Sequence, residues 1–444
     1  MTCLINNFEN YYLDKKEEYN EYVNIQIILM YLLKLSGMKL LVDLSSAQPN
    51  GSMKVNGGGE SSIVFFKSIV ENKPDNCVVV VVFNSNLPDN NDLINWCNCR
   101  NIIVIKYRDI DHFNCILANE KYHTVFFPVC YNRYSELSIP NCTRVISIIH
   151  DLCDVYYYSM PMVKYGRYPK LGKLEWLGKA FGKIYSKQRT KNYIENHNKI
   201  LKMSDDQVVF TVTHYSKASF YKYLNTESVN SIEIVYTPDV RADIKIYKDL
   251  EDDVLKQYKL QNKKYFMLMA GCRWAKNNAI ALFVLDKMFS NKKYKEQLDG
   301  FKVIVLGTDD IYKNYFLHHI RNKNCFVFED YIDRYKVEIL YKNAYMFVFP
   351  SVLEGFGLPP IEAMKYGTVS ACSTSMSIPE VCGDAAIYFD PYNMDSIEMA
   401  IIRSFDQELM KEKSNKSIKR VKEINDIRKK DLERFLNIVW KSKY

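Results

Sequence analysis

From Lys39 onward, short runs of Val, Ile and Phe with almost no polar alternation recur along the chain, separated by longer amphipathic segments. Strands that read as continuous apolar runs are buried on both faces, and the gaps leave room for a helix between successive strands. The chain is therefore constrained to βα units and parallel sheets rather than a sandwich. The first set of expected strands covers 39–44, 77–83, 102–106, 125–127, 145–149 and 208–212; the second covers 265–269, 302–306, 325–328, 346–349, 368–371 and 386–389. Two such sets predict an α/β fold with two Rossmann-like, doubly wound domains. The expected divisions are an N-terminal extension at 1–37, a first domain at 38–245, a second at 246–424 and a C-terminal helix at 425–444. In the extension, 23–33 reads as a helix packed on the first domain, with a membrane-surface anchor as the alternative. Leu432, Phe435, Leu436, Val439 and Trp440 recur at helical spacing, so the last helix should dock on something apolar.

With 444 residues, 48% hydrophobic and 25% charged, the chain can bury a sizeable core, which excludes global disorder. No apolar run approaches the roughly 20 residues that span a bilayer. Glu9, Asp14, Glu17 and Glu18 precede any apolar stretch, unlike the basic start of a secretory leader, so a cytoplasmic location is expected. Twelve cysteines without a CxxC pair then read as reduced thiols, Cys97 and Cys99 included. Charge is more specific. The formal net charge is +8, yet 164–202 alone carries nine Lys and two Arg against Glu175 and Glu195. Such density suits a solvated helical face, an anionic membrane surface or a lipid-linked acceptor; no nucleic-acid signature accompanies it, so nucleic acid is not an expected partner.

The stretch FPSVLEGFGLPPIEAMKYGTVSACSTSMSIPEVCGDAAIYFDP, ending at Pro391, carries the most chemistry. The 346–349 strand feeds a loop with Gly355 and Gly357, and Pro359 and Pro360 sit where proline is tolerated, in a helix's first turn. Glycines let a ligand approach the backbone, and a helix start at a strand's carboxyl end favours an anion, so the geometry suits a nucleotide diphosphate or sugar. Glu354 lies on the loop and Glu362 is expected in that first turn. Carboxylates repel phosphate, so they suit hydrogen bonds from sugar and ribose hydroxyls.

The run EGFGLPPIEAM, followed by IPEVCGDAA, resembles the signature of family 4 of the retaining GT-B glycosyltransferases, also called glycosyl transferases group 1. The resemblance implies a GT-B architecture, two Rossmann-like domains facing across a cleft, with the C-terminal helix able to cross back to the first domain. It implies that Glu354 contacts the donor sugar and Glu362 the ribose, with Gly355, Phe356, Gly357 and Leu358 forming the donor loop. One departure is Val369, where the family usually has proline. The AGCRWAKNN run matches where the family holds the donor's diphosphate, which assigns Arg273 and Lys276. Asn56 to Gly59 read as a loop ahead of a helix expected at 60–69, and in it Gly58 and Gly59 resemble a glycine pair in the wall of the cleft; His150, before Asp151, resembles the family's His-Asp element, where the His reaches the donor sugar. His150, Arg273, Lys276 and Glu354 are the expected catalytic set.

The expected function is retaining transfer of a hexosyl group, mannosyl-like favoured, from a nucleotide-diphosphate sugar to a glycan or lipid-linked acceptor. No cofactor and no metal are expected, since fixed cations replace the ion. A rival is Asp109-Ile110-Asp111, a D-x-D that could hold a divalent metal or simply form a polar turn. Two other functions share the fold: a catalytically silent nucleotide-sugar-binding subunit and a nucleotide-sugar epimerase.

Overall fold

The computed structural model describes residues 37–49, 55, 57–152, 155–156, 175–239, 247–270 and 273–440, without the side chains of 175–186 and 274. The 1–36 extension with its 23–33 segment, Asn56 and the 164–174 part of the basic stretch lie outside the described residues.

The first domain holds β1 (Met38–Asp43), β2 (Cys77–Asn84), β3 (Ile103–Tyr107), β4 (Thr124–Phe127), β5 (Arg144–Ile148), β6 (Gln207–Thr211) and β7 (Ser231–Ile234). The second holds β8 (Tyr265–Leu268), β9 (Lys302–Leu306), β10 (Phe326–Glu329), β11 (Met346–Phe349), β12 (Val369–Ser373) and β13 (Ile387–Phe389). The sheet orders are β3-β2-β1-β4-β5-β6-β7 and β10-β9-β8-β11-β12-β13. Every ladder is parallel; β1 pairs with both β2 and β4, and β11 with both β8 and β12. In both sheets the order reverses next to the first strand, which places a crevice at the strands' carboxyl ends.

One strand escaped the sequence reading. β7, Ser-Ile-Glu-Ile, is a sheet edge in which Ile232 is buried while its neighbours are half-buried, so it has no continuous apolar run. Val369 opens β12 opposite Met346, so the residue that departs from the family pattern extends a buried ladder.

The helices that frame the site are α1 (Gly57–Glu71), α2 (His214–Tyr223), α3 (Leu358–Met364), α4 (Ile378–Cys382) and α5 (Gln407–Val439). α5 is one continuous helix of 33 residues that passes from one domain to the other. Near its start, Lys416 pairs with Asp384 at 2.8 Å, and Arg420 bonds the α4 carbonyls of Glu380 and Val381. Further along, Asp431 accepts the N–H of Tyr236 at 2.9 Å, and Arg434 bonds the carbonyl of Ile234. Phe435 then enters the first domain's core, its ring 5.0 Å from Phe65 and 5.2 Å from both Phe126 and Phe210. A single buried cluster thus runs from Leu40 through Phe435 to Phe347 of the other sheet.

Phe435 is fully buried, so Phe435→Ala should cost about 3–5 kcal/mol of unfolding free energy, the range for truncating a core aromatic. Denaturant unfolding measures it; a loss below about 1 kcal/mol would mean that α5 only rests on the first domain.

Candidate active site

The residues singled out above follow β1 and β5 in the first domain and β8 and β11 in the second. Beyond β8, Ala270 and Asn277 are both left-handed, at φ of 56° and 53°. Such conformations cost a non-glycine residue energy and persist where surrounding structure enforces them. Between these two residues Arg273 and Lys276 share one turn, closed by Lys276 N–H to the Arg273 carbonyl at 2.9 Å. The Arg273 side chain is exposed and that of Lys276 largely buried.

The loop after β11 is stitched to this turn. Val352 N–H and the Ser351 hydroxyl both donate to the Ala275 carbonyl, at 2.8 and 3.1 Å. Glu354 is thereby brought to Lys276, with Nζ to Oε1 at 2.5 Å, and the two side chains are only 10–12% exposed. The Lys276 ammonium also stands 5.0 Å from the Phe349 ring centroid, a cation–π distance. A buried pair of this kind is hard to break from one side, since the remaining charge is left desolvated.

Glu354 is followed by the residue on which the two domains meet. A Cβ at Gly355 would lie 2.6 Å from Asp151 Oδ2 and 3.1 Å from the His150 carbonyl. A side chain there would push the Asp151 carboxylate aside and crowd the His150 carbonyl. Across the same contact, Thr213 Oγ1 donates to the Gly355 carbonyl at 3.1 Å. Gly357, at φ 88°, then makes the left-handed turn that starts α3. Phe356 is buried, its ring 5.2 Å from Tyr236 and 5.6 Å from the Arg428 guanidinium.

His150 follows β5, half-buried, with Nε2 at 3.3 Å from the Pro128 carbonyl. Burial pushes its imidazole below the ordinary histidine value of 6.5, although Asp151 and the Pro128 carbonyl pull the other way. His150 is therefore neutral at pH 7 and serves as a hydrogen-bonding group rather than a cation.

Two expected placements are corrected. Glu362 is the fifth residue of α3 instead of lying in its first turn, because the helix begins at Leu358. There it accepts the Tyr341 hydroxyl at 3.0 Å and lines a shallow pocket with Leu358, Lys365, Asp239 and Arg428. The glycine run is also not a loop ahead of a helix: Gly57, Gly58 and Gly59 are the first residues of α1. A Cβ at Gly59 would lie 2.1 Å from the Ser46 carbonyl, so this glycine lets α1 sit against the end of β1. Gly58 is half-exposed and its carbonyl accepts the Ser62 hydroxyl at 2.9 Å.

The D-x-D has a structural job. Asp109 caps the Ile110–Asn119 helix through the His112 N–H at 2.8 Å, and Asp111 sits exposed in its first turn. Among the described residues no three His, Cys, Asp or Glu side chains are grouped to hold a metal ion. Cys97 is buried with its thiol pushed up to about 12 by burial, and Cys99 is exposed. Residues the sequence reading left unassigned are Thr213, Tyr341, Glu380 and Arg428. Thr213 carried a visible signal, a Thr three residues before Ser216 at a helix start, whose N–H it caps at 3.1 Å; Tyr341 carried none.

Residues 252–423 match the family described as glycosyl transferases group 1. O-antigen chain mannosyltransferase B of Escherichia coli is 30% identical over 161 residues, 36% of this chain and 41% of that protein. O-antigen chain mannosyltransferase RfbU of Salmonella typhimurium is 29% identical over 208 residues, 46% of this chain and 52% of that one. The chain thus matches about half the length of these relatives. Among solved structures, sucrose-phosphate synthase from Thermosynechococcus elongatus superposes with TM-score 0.63 at 13% identity, covering 91% of this chain and 100% of the other. WaaG, a glycosyltransferase involved in lipopolysaccharide biosynthesis, gives 0.61 at 13%, covering 91% and 100%. Anabaena Alr3699/HepE in complex with UDP-glucose gives 0.59 at 12%, covering 90% and 99%. At such identities the superpositions speak for the fold alone. The architecture is GT-B, and the part of the chain that matches the glycosyl transferases group 1 family, 252–423, is its second domain with the first half of α5.

Proposed function

We propose that the protein is a retaining glycosyltransferase that moves a mannosyl-like hexosyl group from a nucleotide-diphosphate sugar to a glycan or lipid-linked acceptor. The observation that carries the reading is the contact at Gly355. It sets a buried Lys276–Glu354 pair from one domain beside the His150–Asp151 turn of the other. The mannosyltransferase names of the two relatives support the donor sugar, and the UDP-glucose complex of a GT-B neighbour supports a nucleotide-sugar donor.

In this reading the bond between the sugar's anomeric carbon and the diphosphate oxygen breaks, and its electron pair leaves with the nucleoside diphosphate. The acceptor oxygen bonds to the same face of that carbon, and its proton passes to the departing phosphate oxygen. Lys276 and Arg273 stabilise the charge that develops on the diphosphate, so no metal is required. Glu354 and neutral His150 hold sugar hydroxyls, one as acceptor and the other as donor or acceptor. Glu362, steadied by Tyr341, takes the ribose hydroxyls. Exposed Lys187, Arg189, Lys191, Lys199 and Lys202, on and just after the Glu175–Ile200 helix, supply the charge for peripheral contact with an anionic membrane surface that would bring in a lipid-linked acceptor.

With GDP-mannose and UDP-hexoses offered alongside acceptor glycans, proton NMR should find product of the donor's own anomeric configuration, formed with chelator present. Glu354→Gln and Arg273→Ala, each folded, should turn over about 10- to 1000-fold more slowly. Inverted product, dependence on added manganese or near-normal variants would each refute the corresponding part. The pH dependence follows from His150. Its value lies below 6.5, so charging it costs folding free energy that falls due as pH drops from about 6.5 toward that lower value. Turnover should fall on the acid side with a midpoint below 6.5, and His150→Asn should lack that limb; an unchanged limb assigns it to another group. Vesicles containing anionic lipid should sediment the protein at low salt and release it as salt rises, whereas equal binding to neutral vesicles would remove the electrostatic account.

A further inference from the structure

Glu380, on α4 of the second domain, spends its carboxylate on the first. Oε1 accepts the N–H of His214 at 2.8 Å and Oε2 that of Tyr215 at 2.9 Å. The Tyr236 hydroxyl donates to Oε1 at 3.0 Å. His214 and Tyr215 are the first two residues of α2, ten residues long, and the opening N–H groups of a helix have no partner within it. A negative charge there is favoured by the helix dipole and is ordinarily supplied by the same chain segment. Here the local cap, Thr213, serves Ser216, and the carboxylate for the first two groups comes from the opposite domain. Glu380 is itself held in place, since Arg420 of α5 donates to its carbonyl at 2.7 Å and to that of Val381 at 2.9 Å.

The consequence lies one residue upstream of α2. Thr213, fixed by that junction, donates to the carbonyl of Gly355, the residue that touches Asp151 and His150 and follows Glu354. We propose that Glu380 is a positioning residue for the transfer reaction. By capping α2 from the other domain, it sets the separation of Glu354 and Lys276 from His150. The proposal rests on the transferase reading above. Loss of the cap removes the bonds that hold α2 to the second domain and lets the domains part, and a displacement of even about 1 Å at a reacting centre can cost about 100-fold in rate. Nucleoside diphosphate binding depends on second-domain groups alone and is spared.

The test compares the parent with Glu380→Ala and with Glu380→Gln, which keeps the size and one acceptor oxygen but not the charge. X-ray scattering reads the separation of the domains, calorimetry reads UDP and GDP binding, and steady-state kinetics with the parent's best donor reads turnover. Expected for Glu380→Ala are a larger radius of gyration, nucleoside diphosphate affinity within about twofold of the parent, and kcat lowered by about 10- to 100-fold, with Glu380→Gln between. If the Ala variant does not fold, the Gln variant carries the same comparison. An unchanged radius overturns the proposal whether or not transfer is detected, and so does an opened variant with undiminished kcat. A lost affinity for UDP and GDP alike overturns it too, by making Glu380 part of the donor site. A parent that opens on substitution but transfers sugar from no donor overturns the transferase reading instead.

Discussion

The site depends on a missing side chain. Gly355 lies so close to the His150–Asp151 turn that a single methyl group would sit 2.6 Å from a carboxylate oxygen, well inside van der Waals contact. Because the two domains share this contact, the loop that carries Glu354 is shaped by both of them. One end is stitched to the Ala275 carbonyl in its own domain, and the middle is tied by Thr213 to the other. The position of one carboxylate is thereby referred to both sheets.

Charge follows the same economy of placement. Lys276 is buried, and Glu354 is its counter-charge as well as the proposed partner of the sugar. Arg273, on the same turn, keeps an exposed side chain, as its proposed contact with the diphosphate requires. α5 adds stiffness from behind. It grips α4 through Arg420, the interdomain strand end through Asp431, and the first domain's core through Phe435. Arg428, between these points, bonds the Thr237 carbonyl at 2.7 Å and lines the pocket beside Glu362. One helix therefore touches the proposed ribose contact, the segment joining the domains and the core of the domain opposite.

What could be read from the amino-acid order divides along physical lines. Twelve strands were visible because burial on both faces leaves continuous Val, Ile and Phe runs, whereas β7 was hidden because an edge strand with Ser231 and Glu233 looks like a turn. Glu354 stood out by the glycines and prolines around it, and Lys276 by the resemblance of its basic turn to the family's. Their direct pairing, over 78 positions, was not, since nothing in a linear pattern encodes which side chains meet. The error over Gly57–Gly59 has the same root: glycine signals both a flexible loop and a helix crowded by a neighbour, and the crowding by Ser46 exists only in the fold. Glu380 lay inside a recognised run and still escaped, because its partners are backbone N–H groups in the other domain, which have no residue-type signature.

The most direct measurement is a crystal structure with the intact nucleotide sugar bound, prepared with the slow Glu354→Gln variant. The account predicts the diphosphate within hydrogen-bond distance of Lys276 and Arg273, the sugar between residue 354 and His150, and the ribose at Glu362. A nucleotide seated away from the turn after β8, or a diphosphate whose charge is met by neither cation, would contradict it.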